Sequence, residues 1–389
     1  MLPPIALGGL RPNDDSPSMP QQIAIRRPSE LSEDDRAAWT RLQAEDRTFE
    51  SPYFHPGWTD AIARVRDDVL VAVIRDPSVT QDGPAGFWPF QKIGSRAVPV
   101  GAPLNDYQGC IAAPGLVVDT GRLLRVAGVG TWTFDHLLAS QPGMEEHEDI
   151  AECSPYMELS GGFDGYLDTL SKSGRRNVKA IARRRAAMQK AEGPVRFVAD
   201  VAADAGRGKS EAMLDTLIGW KSAQYRETGL PDIFEADWTR TLLIDLMAAP
   251  PEARFRGVLA ALMLGDQPIA AHFGLRCGPV MHWWFPAYDD AVADHSPGWQ
   301  LLLQMAETAA AEGIDRIDLG KGMSQFKRKA MSGSIPLREG VIDGSLVRRC
   351  VRRSGLVLKA TLKRTPLRDY LRRPASWLFH RNIEGVLKG

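Results

Sequence analysis

The sequence predicts an α/β fold in which helices flank a mixed central sheet, divided between two lobes. Three observations carry that prediction. Apolar runs such as VLVAVI and GVLAALML alternate with amphipathic segments of helical spacing. The 389 residues are 44% hydrophobic and 25% charged, ordinary globular values at a length that favours two domains. The halves also echo one another: Trp39 precedes VLVAVI and AGFWPF as Trp220 precedes GVLAALML and PIAAHFGL.

Lys and Arg number 48, as do Asp and Glu, so net charge is near zero and no DNA partner is expected. The charge is uneven, because residues 341–389 hold 12 Lys/Arg against 3 Asp/Glu. Cys110, Cys153, Cys277 and Cys350 show no C-x-x-C spacing, so neither a zinc site nor a disulfide framework is predicted. No metal is expected. The N-terminal MLPPIALGGLRPNDDSPSMPQQ lacks the basic start and longer apolar core of a signal peptide. No apolar run approaches the roughly 20 residues that cross a bilayer. A soluble, cytoplasmic protein is expected.

Residues 1–22, rich in Pro, Gly and Asp, read as a disordered tail, 23–155 as the first lobe, 156–345 as the second and 346–389 as a basic extension. In the first lobe LSEDDRAAWTRLQAE is an amphipathic helix with a Ser32 cap, and GWTDAIARV is a shorter one. VLVAVI, AGFWPFQ and RAVPVGAP are strands between Gly and Pro turns. The second lobe opens with one long basic helical stretch over 163–192. VRFVAD, a strand, and two helices, EAMLDTLIGWKSAQYRETG and DWTRTLLIDLMAAP, follow. RGVLAALML and QPIAAHFGLRC form a hairpin across Gly265-Asp266. VMHWWFPAY is a strand, SPGWQLLLQMAETAAAEG a helix and RIDLG a strand.

The Ser296-Pro297-Gly298 corner starts that last helix. Ser296 suits an N-cap, Pro297 the first helical position, and Gly298 permits close approach to the backbone. Leu302, Met305, Ala306 and Ala309 form its buried face. A helix start of this kind offers unpaired N–H groups and a positive dipole end to a phosphate or pyrophosphate. The competing reading is a tidy cap. There is no G-x-G-x-x-G, and LGKGMSQFK does not fit G-x-x-x-x-G-K-[ST], so dinucleotide binding and nucleotide hydrolysis are disfavoured.

PIAAHFGLR, HWWFPAYDDAVADHSPGWQLL and GIDRIDLGKGMSQFKRK, in that order, resemble the CelD-type (BioF-like) acetyltransferase family of the GNAT superfamily. The markers are Tyr288-Asp289, Ser296-Pro297-Gly298, Asp318-Leu319-Gly320 and Phe326-Lys327. The likeness is best over 163–335 and looser over 31–115, where SPYFHPGW, GFWPF and GAPLNDYQG carry it. It implies two tandem GNAT-like lobes of Fem-like architecture, each a mixed central sheet flanked by helices, with acetyl-CoA or another acyl-CoA as co-substrate in the second. Many GNAT enzymes carry a Gln/Arg-x-x-Gly-x-Gly/Ala loop where this chain has Asp294-His295-Ser296-Pro297-Gly298-Trp299. The resemblance therefore places the donor on His295, Ser296, Gly298 and Trp299 by context. It also assigns Lys327 to the donor's phosphate or to the oxyanion, against the alternative of a solvated basic loop.

Acyl transfer needs a deprotonated acceptor, donors for the oxyanion and a donor held in line. His272, among apolar strand residues, is a neutral base or a satisfied core histidine. Asp289, after Tyr288 at a strand end, borders a cleft or caps a turn. Asp318 interrupts RIDLG and needs a partner or a function if buried. Trp283, Trp284, Tyr288 and Trp299 wall an acyl or sugar pocket or fill core. Arg176 with its basic neighbours, and Trp220 and Tyr225 on a later helix, are the acceptor contacts expected.

The function expected is acyl-CoA-dependent N- or O-acyl transfer to a sugar or precursor in exopolysaccharide or cellulose biosynthesis. One alternative is Fem-like aminoacyl transfer from tRNA, motivated by basic stretches at 172–190 and 348–373 but disfavoured by the neutral total charge. Another is a non-catalytic scaffold docked, through the basic extension, to a membrane-associated polysaccharide synthase.

Overall fold

Strands that are apolar on both faces need cover on both sides, and the computed structural model, which describes residues 21–345, covers them with helices. The first half contains β1 (Gln22–Arg26), α1 (Glu33–Glu45), α2 (Pro56–Val65), β2 (Val69–Arg75), β3 (Gly86–Ile93) and β4 (Arg96–Pro99). A two-residue β5 (Ile111–Ala112), α3 (Thr120–Ala127) and β6 (Thr131–Leu138) complete it. β7 (Glu148–Glu158) leads into α4 (Gly162–Thr169), α5 (Lys172–Glu192), β8 (Val195–Val198), α6 (Val201–Ala205), α7 (Arg207–Thr228) and α8 (Asp237–Met247). Then come β9 (Phe255–Leu264), β10 (Gln267–Cys277), β11 (Val280–Tyr288), α9 (Pro297–Ala311), β12 (Arg316–Asp318), α10 (Gln325–Ala330) and β13 (Gly333–Asp343).

The fold is the expected mixed α/β arrangement, and its internal echo is real: α1 and α2 precede the β2–β3 hairpin as α7 and α8 precede β9–β10. The strands form one continuous sheet, ordered β1-β2-β3-β4-β6-β13-β7-β12-β11-β10-β9-β8, with β5 beside β3. On one face of the second half α9 sets Leu301, Leu302, Met305 and Ala306 against Met281, Trp283 and Ile317. On the other, α7 and α8 set Leu214, Leu217, Leu242 and Leu246 against Leu259, Ala261 and Phe273. Each such leucine stabilises by about 1.5–3 kcal/mol on burial.

Three expectations change. The helix expected over 163–192 is two helices: Leu170 is extended, and the Ser171 hydroxyl caps α5 by accepting from Gly174 N–H. A Cβ on Gly174 would lie 2.6 Å from the Lys329 carbonyl oxygen, so α5 packs closely against α10. The tail expected to end at residue 22 gives way to β1 at Gln22; the rest of that tail, and the basic extension from 346, lie outside the described residues. The boundary expected at 155/156 falls inside β7. β13 pairs with β6 on one side and β7 on the other, so the last described strand is the seam between the halves. No helix among the described residues is long and apolar enough to cross a membrane.

Gly340 lies where the β13 register shifts against both partners. A Cβ there would collide with the His147 backbone oxygen and approach Phe134 Cζ to 2.8 Å. Gly340→Ala is expected to cost about 1–3 kcal/mol, seen as a lower urea midpoint at an unchanged slope.

Candidate active site

β11 and β12 run parallel for only three pairs, Val280–Arg316, Met281–Ile317 and His282–Asp318. β12 then ends and the chain turns off through Gly320 (φ +77°), whereas β11 continues to Tyr288. Beyond the His282–Asp318 pair the two strands share no further ladder; the gap between them is the slot, and that pair its apex. A bulge next to the apex bends β11: its register with β10 shifts between Phe273 and Leu275. Gly274 is required there, because a Cβ would meet the His282 carbonyl oxygen at 2.5 Å.

The bulge takes Trp284 N–H off the ladder, and His272 Nε2 accepts it at 3.0 Å. His272 is fully buried and stacked on Trp283 at 4.1 Å. Burial, aided by His282, pushes its imidazole well below the usual histidine range, so the ring stays neutral and can accept. His272, expected as a neutral base or a satisfied core histidine, plugs the bulge. Its Nε2 is committed to Trp284, and its Nδ1 is buried with no hydrogen-bond partner among the described residues.

The polar groups that converge come from both halves. Asp106, on the loop before β5, accepts from His282 Nε2 at 2.6 Å through one oxygen and faces His136 Nε2 of β6 at 3.2 Å with the other. His136 Nδ1 lies 3.0 Å from Asp135, and Gln108 donates to that carboxylate at 2.6 Å. Burial opposes a charge on Asp106, but the two histidines outweigh it and hold the carboxyl far below the usual range. Burial also opposes a charge on His136, yet Asp106 and Asp135 lift it to about 9. The Tyr53 ring meets His282 edge-on at 5.1 Å and closes the apex.

Asp318 is fully buried, with one oxygen accepting from Arg316 Nε at 3.0 Å. Burial raises its pKa against the pull of Arg316 and His282. Asp318 Oδ2, Tyr107 Oη, Ser154 Oγ and His282 Nδ1 are buried with no hydrogen-bond partner among the described residues. Tyr107 lies close enough to Ser154 and Asp318 for these three to interact weakly with one another, outside good hydrogen-bond geometry. Lys327 closes the other wall: its ammonium donates to Gly320 O (2.8 Å) and Lys321 O (2.7 Å). Burial lowers its pKa, opposed by Asp106 and Cys153. Lys321 is tied to Glu339 and to the Asp135 carbonyl.

The start of α9 departs from expectation. Ser296 is left-handed (φ 56°, ψ 53°), and its hydroxyl makes no cap bond but accepts from Arg184 of α5. The amides of Trp299 and Gln300 turn back to Ser296 O. Pro297 has no N–H, so Gly298 alone in the first turn offers an amide without a partner among the described residues. Tyr288 lies over it, 3.4 Å from where a Cβ would stand.

Asp289 is the turn cap, accepting from Ala291 N–H at 2.9 Å. His295 pairs with Glu192 at 3.2 Å, and Trp299 packs on Phe326 at 4.5 Å. Trp284 Nε1 donates to Leu104 O at 2.8 Å. Arg176 is exposed on α5, while Trp220 and Tyr225 are half-buried on α7, with Tyr225 near enough to Asp106 to feel its charge. Of the expected residues the structure gathers Asp318, Lys327, Trp284 and Tyr225 about one apex. Tyr288, His295, Ser296, Gly298 and Trp299 stand at the far mouth.

Asp106, His136 and His282 were missed. His282 was visible only as the polar residue opening HWWFPAY, and nothing local ties Asp106 or His136 to it. No group of three His, Cys, Asp or Glu that could hold a metal ion occurs among the described residues.

Residues 173–328 match the acetyltransferase (GNAT) domain family. No curated protein matches the chain. Among solved structures, FemX is similar at 9% identity over 86% of this chain and 99% of that one, with a TM-score of 0.51. The C-terminal domain (DUF2156) of a putative lysylphosphatidylglycerol synthetase from Agrobacterium fabrum is 10% identical over 85% and 96%, with a TM-score of 0.49. A tandem GNAT protein from the clavulanic acid biosynthesis pathway is 11% identical over 84% and 99%, with a TM-score of 0.45. At such identities the likeness speaks to the fold alone.

Two outcomes follow. His272→Leu orphans the Trp284 amide and is expected to cost about 1–3 kcal/mol, read as a lower melting temperature. The second concerns His136, whose pKa rises from 6.5 to about 9 on folding. Its contribution to stability is fully present below about pH 6.5 and lost as pH rises through 9. The melting-temperature gap between the wild type and His136→Gln is therefore expected to be widest below pH 6.5, to narrow from there and to close above pH 9.

Proposed function

We propose that the chain is a GNAT-type acyltransferase that seats an acyl-CoA in the slot between β11 and β12 and passes the acyl group to an amine or hydroxyl. The family match over 173–328 supports acyltransferase chemistry in general. The observation that carries the finer reading is the parting of two parallel strands onto an apex where buried polar groups converge. The slot fits an extended amide-bearing arm, because β11 has no strand partner on that side beyond His282. Gly298 N–H and Arg184 stand at its mouth for the diphosphate end.

At the apex an ammonium has three donors, and the carbonyls of Gly320 and Lys321 take two from Lys327. The third is available to the thioester carbonyl oxygen as negative charge develops there. Asp106, 25% exposed and held anionic by two histidines, accepts the attacking N–H or O–H. The acceptor's lone pair forms the new bond to the carbonyl carbon, the C–S bond breaks, and the proton that the acceptor loses passes to the departing thiolate. Asp318, sealed beneath, positions His282 and Tyr107 and does not touch substrate. A sugar or polysaccharide-precursor acceptor, and docking to a synthase, rest on the family resemblance; the basic extension invoked for docking lies outside the described residues.

Acetyl-CoA at 100 times its Kd is expected to stabilise the protein by roughly 2.7 kcal/mol, visible as a higher melting temperature. No shift with any CoA ester would remove the reading. Thiol release from acetyl-CoA in the presence of amine or sugar acceptors then reads turnover. Lys327→Met is expected to lower kcat by about 100-fold with little change in KM for acetyl-CoA. An unchanged kcat excludes this lysine from the oxyanion role.

A further inference from the structure

The phase of the β10–β11 ladder decides which backbone groups of β11 face the slot. Asp289 N–H donates to Ile269 O at 3.0 Å, so that pair is hydrogen-bonded, and bonded and non-bonded pairs alternate along antiparallel strands. Phe285 and Ala287 therefore bond to β10. Pro286, opposite His272, and Tyr288, opposite Ala270, turn their backbone groups the other way, into the slot. Proline is tolerated in this inner strand because that side has no partner strand. The edge thus offers carbonyls at Pro286 and Tyr288 but only one N–H, that of Tyr288.

Lys221 of α7 reaches this gap. Its Nζ donates to Gln224 Oε1 at 2.8 Å and, at a longer 3.4 Å, to Pro286 O, and it lies 5.3 Å from the Tyr225 ring centroid. An ammonium has a third N–H, and it meets no acceptor among the described residues. We propose that Lys221 is a further donor-binding residue, whose ammonium takes an amide carbonyl of the acyl donor's arm where Pro286 has no N–H to give. The inference rests on the acyl-CoA reading above. Burial lowers the Lys221 pKa to about 8, so the group is mostly charged at pH 7 yet poorly hydrated, a state in which a ligand carbonyl is a favourable partner. The Pro286 carbonyl and the ring of Tyr225 keep the ammonium at the edge of the slot.

Calorimetric titration of the full chain with acetyl-CoA at pH 7 tests this. Lys221→Met, which keeps the apolar stem, is expected to weaken binding roughly tenfold or more, and Lys221→Arg, which keeps a charged donor, to stay near the wild type. Equal affinity of Lys221→Met and the wild type overturns the role, as does equal weakening by both variants, which marks a packing effect. Failure of the wild type to bind acetyl-CoA overturns instead the acyl-CoA reading on which the inference stands.

Discussion

The carboxylate of Asp106 is the point on which the two halves of the molecule are tied together at the apex. It stands on a loop of the first half, facing a histidine of that half's β6 and one of the second half's β11. Taking a carboxylate out of water costs several kcal/mol, and only close, charge-assisted bonds offset that. Both histidines supply them, so the loop, β6 and β11 are held in one mutual arrangement. Loss of either partner would leave a half-buried charge less compensated than before. The same constraint underlies the proposed role of Asp106, because a carboxylate held anionic between two donors is a directed hydrogen-bond acceptor for a third.

The slot follows from how the sheet handles one extra residue. The bulge at Gly274 bends β11, and the bent strand keeps β12 for three pairs only. An unpaired amide in that bend would be costly, and a neutral imidazole fills the gap at Trp284. Below it, β13 carries the sheet across from β6 to β7, so the wedge opens in a continuous surface and not between two loosely docked bodies. Rigidity around a slot suits a site that must hold two reactants in line.

Polar groups around the slot divide by distance from the apex. Near it, Asp318, Tyr107, Ser154 and His282 are enclosed and under-bonded. At the mouth, Arg184, Ser296 and His295 are bonded to one another or to neighbours across the gap between α5 and α9. The polar groups thus grade from solvated cations at the mouth to buried acceptors at the apex.

Much of the fold was legible in the residues themselves. The apolar runs of β2, β9, β10 and β11, the Gly265 turn and the buried face of α9 depend on local periodicity and turn chemistry, which a chain carries without its partners. The break at Leu170-Ser171 was not, because the close approach of α10 that requires Gly174 comes from 155 residues downstream of that glycine. Lys327 and Asp318 were legible as polar residues in or beside a buried strand. His272 was legible only as a histidine, and its post at the bulge depends on how β10 registers with β11. Asp106, His136 and His282 are separated by 30 to 176 positions, and nothing in their local sequence distinguishes them from other polar residues. Periodicity encodes which face of an element is buried; which polar groups meet across that face is decided by sheet order and register, and these exist only in the folded chain.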